Sequence, residues 1–162
     1  MTDMAKIVVG VGDMKVSADP SACLITYSLG SCVGVVGHDP VAKVAGLLHF
    51  QLPSAKGHDA RAAQSPAMFG DKGIPLLLDA LLAHGCRRER LVVRVFGGAS
   101  MMNDNDLFKI GIKNARAAKK ILWQSCMSIR NEDLGGEDSR TVSVEVGSGR
   151  VLLKKKTGEI CY

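Results

Sequence analysis

Thr26-Tyr27-Ser28-Leu29-Gly30-Ser31-Cys32-Val33-Gly34-Val35 reads as a strand, a tight turn and a second strand. The β-prone residues run from Cys23 to Ser28, Gly30-Ser31 punctuates them, and Cys32 to Val36 resumes the extended pattern. His38-Asp39-Pro40 is the next turn signal, and Lys43 to Phe50 is a further apolar strand that carries His49 near its far end. Connections this short suit a meander of the three strands better than a crossover.

Upstream, Lys6 to Val11 is predicted as a short buried strand and Met14 to Ser17 as another, closed by Asp19-Pro20. Gly10-Val11-Gly12-Asp13 lacks the third glycine of a dinucleotide fingerprint, and no helix follows it. Downstream, Pro53 to Gln64 is polar and irregular, which predicts a loop beside His49. Asp71 is placed to cap a helix carrying Leu76-Leu77-Leu78 and Ala80-Leu81-Leu82, ending at His84 with Gly85 as a left-handed stop. Pro75 fits such a helix only in its first turn or at a kink.

Arg90 to Phe96 is then a strand landing on Gly97-Gly98-Ala99-Ser100. Ile112 to Met127 is the second helix, with Ala115, Ala118, Ile121, Leu122 and Cys126 on one face. Ser128 to Leu134, Arg140 to Val146 and Arg150 to Lys155 close the chain as strands, with Gly135-Gly136 and Gly147-Ser148-Gly149 as hairpin turns. Strands and helices do not alternate as a doubly wound fold requires. The expected architecture is α+β and strand-rich, a layered sandwich with two main helices on one side, forming one domain over residues 1–162.

Composition narrows the function. The 162 residues suffice for one core, and chains of this size bury roughly 70% of their unfolded surface. No apolar stretch reaches bilayer-spanning length, and the first residues lack an export pattern, so a cytoplasmic protein is expected. Five cysteines, Cys23, Cys32, Cys86, Cys126 and Cys161, are an odd number without paired spacing, which argues against a disulfide framework. Cys23, Cys86 and Cys126 lie in or beside apolar segments and read as buried small hydrophobes. Without Cys-x-x-Cys or His-Glu-x-x-His, neither a metal nor a cofactor is expected. The net charge of +5 is modest, and Lys154-Lys155-Lys156 is its clearest local contribution. The run can attract an acidic partner, or it can be a solvated strand end whose lysines discourage edge pairing. Lacking interleaved aromatics, it gives little support to nucleic-acid binding.

Cys32 admits two readings. One is a small core residue at a strand start. The other is a nucleophile, because the Leu29-Gly30-Ser31 turn lets backbone amides approach a developing oxyanion and a histidine ends a nearby strand. His49 likewise is either a satisfied structural group or a rigidly held base. His38, His58 and His84 sit in turns or at a helix end, where exposure is expected. Thr26 lies upstream on the strand entering the turn and offers a hydroxyl, with Ser28 as a competitor for that role.

Leu29-Gly30-Ser31-Cys32-Val33, Asp39-Pro40, Lys43-Val44, His49 and Leu52-Pro53 together resemble the chemoreceptor glutamine deamidases of bacterial chemotaxis, the CheD family. Gly97-Gly98-Ala99-Ser100-Met101, Ile110-Gly111, Asn114 and Gly135-Gly136 extend the resemblance over nearly the whole chain. It implies an α/β/β layered fold similar to certain deamidating bacterial toxins. It also implies Cys32 as nucleophile, His49 as base and Thr26 as the orienting hydroxyl. Gly30, Ser31, Gly97 and Gly98 are then candidates for oxyanion stabilisation or substrate positioning. The implied reaction converts receptor glutamines to glutamate with release of ammonia through a thioester, with a secondary methylesterase activity. The implied partners are the cytoplasmic helical region of methyl-accepting chemoreceptors and a response-regulator phosphatase. A non-catalytic adaptor that keeps the fold and binds either partner is the rival reading.

Overall fold

A computed structural model describes residues 3–101 and 109–162. Two five-stranded sheets hold the chain together. The first has the order β1(Ala5–Val8), β3(Ala22–Leu29), β8(Arg140–Glu145), β9(Val151–Lys155), β10(Gly158–Cys161). The second runs β2(Asp13–Ser17), β5(Val44–Phe50), β4(Val33–Asp39), β6(Val92–Gly97), β7(Ile129–Leu134). Helices α2(Gly70–Ala83) and α3(Ile110–Gln124) pack on the second sheet, and a short α1 covers Asp59–Gln64.

Burial patterns fix the layering. Every residue of β4 and β5 is buried, as a strand covered on both faces must be, whereas β8 alternates between buried and half-buried. Val33, Val35, Val44, Leu48 and Phe50 face the helices, where Ile74, Leu77, Leu78 and Leu81 of α2 supply an i, i+3, i+4, i+7 stripe. Val36, Ala45 and Leu47 face the other way and meet Leu24, Leu29, Val142 and Leu153 of the first sheet. The result is an α/β/β sandwich with an apolar core on each side of the central sheet.

Several sequence expectations are corrected by this arrangement. β3, β4 and β5 are not a meander: β3 belongs to the first sheet and β4 and β5 to the second. The Gly30-Ser31 turn is therefore a corner from one sheet to the other. Gly135-Gly136 is likewise a crossing, from β7 to β8, while Gly147-Ser148-Gly149 does join the β8–β9 pair. The first strand is largely exposed rather than buried, because it is an edge paired in parallel with β3. The Lys154-Lys156 run does not end in a free edge, since Lys154 and Lys155 pair with β10, and Lys155 Nζ also meets the Asp133 carboxylate at 2.9 Å.

Asp71 caps no helix. It accepts from the Ser54 hydroxyl at 3.0 Å and the Ala55 N–H at 2.9 Å, tying down the loop, while the helix opens at Gly70 with Pro75 in its interior. Pro53 to Gln64 includes α1 rather than being loop throughout. Cys126 is exposed, because the chain leaves α3 there in the left-handed region with φ 58°. His38 is buried, donating from Nε2 to the Val146 carbonyl at 3.0 Å across the two sheets.

Candidate active site

The sheet-to-sheet corner sets the site. Thr26 pairs with Val142 and Leu29 with Arg140, so β3 carries one extra residue in between. This bulge puts Ser28 at φ 56° and exposes Tyr27 and Ser28, while Thr26 and Leu29 point into the core between the sheets. Ser28 is thereby turned away, and Thr26 is the hydroxyl that reaches the second sheet. Opposite it, His49 is fully buried on β5.

Their hydrogen bonds assign the imidazole's protons. Thr26 Oγ1 lies 2.7 Å from the Val9 carbonyl and 2.7 Å from His49 Nδ1. A carbonyl can only accept, so the one hydroxyl proton of Thr26 goes to Val9. The contact with the ring then requires Nδ1–H to donate to Thr26. His49 Nε2 is left with its lone pair, buried and without a partner among the described residues. The Gly10–Asp13 loop, which resembled a weak cofactor signal, backs this relay: Gly12 N–H donates to the His49 carbonyl at 2.8 Å, and Asp13 pairs with His49.

Cys32 immediately precedes β4, whose Val33 pairs with Phe50 and whose Gly34 pairs with His49. Leu29 packs where a side chain at Gly34 would stand, and Cys32 packs against the same inter-sheet core. Cys32, one residue before β4, packs on the inter-sheet side of the central sheet, the side that His49 also faces. No hydrogen bond joins the thiol to His49 Nε2 in this structure. Burial pushes the Cys32 thiol up from its ordinary value, opposed by its own N–H. Burial alone pushes His49 down to about 4. Both shifts favour uncharged forms, so the resting pair is a thiol beside a neutral imidazole rather than an ion pair.

The glycine turn after β6 locks the corner. Gly98 N–H donates to the Cys32 carbonyl at 2.9 Å and Ala99 N–H to the Gly30 carbonyl at 2.9 Å. Gly97 adopts φ 113°, and a Cβ there would collide with the Cys32 carbonyl, so only glycine fits. These bonds show which N–H groups of the oxyanion candidates are already engaged. The Gly98 N–H is taken by Cys32, and the Gly30 N–H donates to the Ser28 carbonyl at 3.0 Å. Gly30, Gly97 and Gly98 build the turn. The Ser31 and Cys32 N–H groups have no backbone partner among the described residues.

Asn114 was visible in the sequence only as part of a recurring segment. It is fully buried in the second turn of α3, and its Nδ2 donates to the Ser31 carbonyl at 2.9 Å and the Gln51 carbonyl at 2.8 Å. Residue type gives no warning of this, because the contacts span 83 and 63 positions. Among the described residues no group of His, Cys, Asp and Glu could hold a metal ion. No helix among them is long and apolar enough to cross a membrane.

An oriented imidazole whose Nε2 has no partner among the described residues, a thiol on the same sheet face and two N–H groups without a backbone partner there are groups of the kind that cysteine-dependent acyl transfer uses. A family profile described as CheD chemotactic sensory transduction matches residues 51–155. The chain is 43% identical over 152 residues to "Probable chemoreceptor glutamine deamidase CheD" of Solibacter usitatus, covering 94% of this chain and 90% of that protein. It is 40% identical over 157 residues to "Probable chemoreceptor glutamine deamidase CheD 1" of Syntrophus aciditrophicus, covering 97% and 98%. A relative of the same name in Pyrococcus horikoshii is 38% identical over 156 residues, covering 95% of this chain and 94% of its own. The chain belongs to the CheD family.

Proposed function

We propose that this protein is a chemoreceptor glutamine deamidase acting in chemotaxis, with Cys32 as nucleophile, His49 as base and Thr26 as the residue that orients the base. The relay from the Val9 carbonyl through Thr26 to His49 is the observation that supports this reading most, because it leaves Nε2 unprotonated on the face shared with Cys32. When a glutamine side chain enters, the Cys32 proton passes to His49 Nε2 and the sulfur attacks the carboxamide carbon. The oxyanion falls to the Ser31 and Cys32 N–H groups; one such donor is typically worth roughly 3 kcal/mol. The C–N bond breaks, ammonia leaves with the proton from His49, and a thioester remains. Water deprotonated by His49 then splits the thioester, restoring the thiol and leaving glutamate. A methyl ester of glutamate enters the same cycle with methanol as leaving group.

The substrate in this reading is the cytoplasmic helical region of methyl-accepting chemoreceptors, which places the protein in the cytoplasm, and a response-regulator phosphatase is its regulatory partner. The unjoined, uncharged thiol and imidazole favour one rival, an adaptor that binds the receptor without chemistry. Incubating a receptor cytoplasmic fragment with the protein and reading its peptides by mass spectrometry separates the two. Specific conversion of glutamine to glutamate is expected; binding without conversion would establish the adaptor.

A further inference from the structure

We propose that Asn114 is a positioning residue that aims the Cys32 N–H at the developing oxyanion, a role that rests on Cys32 being the nucleophile. The amide nitrogen of Asn114 has two protons, and both are committed, one to Ser31 and one to Gln51. In a planar trans peptide the carbonyl of one residue and the N–H of the next point to opposite sides, and among the described residues no peptide is cis. Holding the Ser31 carbonyl toward α3 therefore turns the Cys32 N–H away from the helix.

The neighbouring peptides are fixed by the same means. Ala99 N–H holds the Gly30 carbonyl, which sets the Ser31 N–H, and Gly98 N–H holds the Cys32 carbonyl. Two successive N–H groups are thus left without a backbone partner among the described residues, while the carbonyls paired with them are tied back, the arrangement of an anion-binding nest. Among the described residues, Asn114 is the one side chain in this set. Its second bond reaches Gln51, two residues beyond His49, so a single buried amide ties the turn bearing the sulfur to the strand bearing the base.

The test compares two reactions of the same sulfur in the full-length protein. Deamidation of a receptor fragment develops an oxyanion, whereas alkylation by iodoacetamide displaces iodide and develops none. Asn114→Ala removes both donors, and Asn114→Asp keeps the side chain's size while removing its N–H groups. Each variant is first checked for a cooperative melt, so that the second serves if the first does not fold. The expected result is a fall in kcat of about tenfold to a hundredfold with KM within about twofold. Cys32 alkylation at about pH 8.5 stays within about twofold of wild type.

A folded variant that retains kcat overturns the proposal. So does alkylation that falls in step with kcat, which would make Asn114 a general support of the turn. Cys32→Ala is run beside them: if it still deamidates the receptor, the nucleophile assignment fails whatever Asn114 does.

Discussion

β4 and β5 bury a histidine at each end of their shared ribbon, and the two residues differ in what their rings are left free to do. His38 and His49 are both buried on the side facing the first sheet, and burial lowers the pKa of both. His38 Nε2 is spent on the Val146 carbonyl, and the ring packs where a Cβ at Gly149 would stand. Next to it, Asp39 is clamped by Arg90 at 2.9 Å and by the N–H groups of Val41, Ala42 and Arg87. That end is saturated. At the other end Thr26 consumes Nδ1, and Nε2 has no partner among the described residues. Burial therefore does not distinguish the proposed base from a structural histidine; the unfilled valence does.

Exchanging each histidine in turn puts the contrast at greatest risk. His49→Gln should lower receptor deamidation by about a hundredfold to a thousandfold, in the range of losing a general base. His38→Gln should leave the rate of the folded protein within about threefold and lower its melting temperature instead. Equal losses of rate from the two variants, read in one deamidation assay, would erase the distinction. A smaller effect belongs to the relay itself. Thr26→Val removes the Nδ1 partner and should cost about tenfold in kcat, with recovery by Thr26→Ser, since an orienting group acts through the base. No recovery by serine would mean that the methyl packing, not the hydroxyl, carries the effect.

The contrast also extends to stability against pH. His49 titrates at 6.5 when unperturbed and at about 4 when folded. The unfolded chain therefore binds the proton more readily between those values. The stabilisation from burying His49 neutral is complete above pH 6.5 and is lost as pH falls toward 4, by an amount on the order of 3 kcal/mol. His38 shifts in the same direction and adds to the same acid-side loss. Urea midpoints measured from pH 7 to pH 4 should fall, and His49→Gln should flatten the curve. An unchanged slope in that variant would show that His49 is not the titrating group.

The α+β class with two main helices was legible in the sequence, and so were the residues of the candidate site; the assignment of strands to sheets was less so. A cysteine after a glycine turn and a histidine at the end of the following apolar strand could be read from residue types, whereas Thr26 was preferred to Ser28 only through the family resemblance; the structure brings Thr26 against His49 with Cys32 on the same sheet face. The distribution of strands between sheets was not legible. A tight Gly30-Ser31 turn looks the same whether it reverses a strand within one sheet or carries the chain to another. Choosing between these depends on pairings such as Thr26 with Val142, more than a hundred residues apart. His38 was expected to be exposed for a similar reason, because its partner Val146 is remote. β10 escaped notice because Gly158–Cys161 is short and exposed, and pairing with β9 alone makes it a strand.

Sulfur chemistry at one position separates the enzyme from the adaptor. Peptide mass spectrometry of a receptor fragment incubated with the Cys32→Ala variant tests this most directly, with the melting curve recorded alongside. The prediction is an unchanged melt and a fall in glutamine conversion of more than about a thousandfold. Conversion by a folded Cys32→Ala protein at the wild-type rate would contradict it.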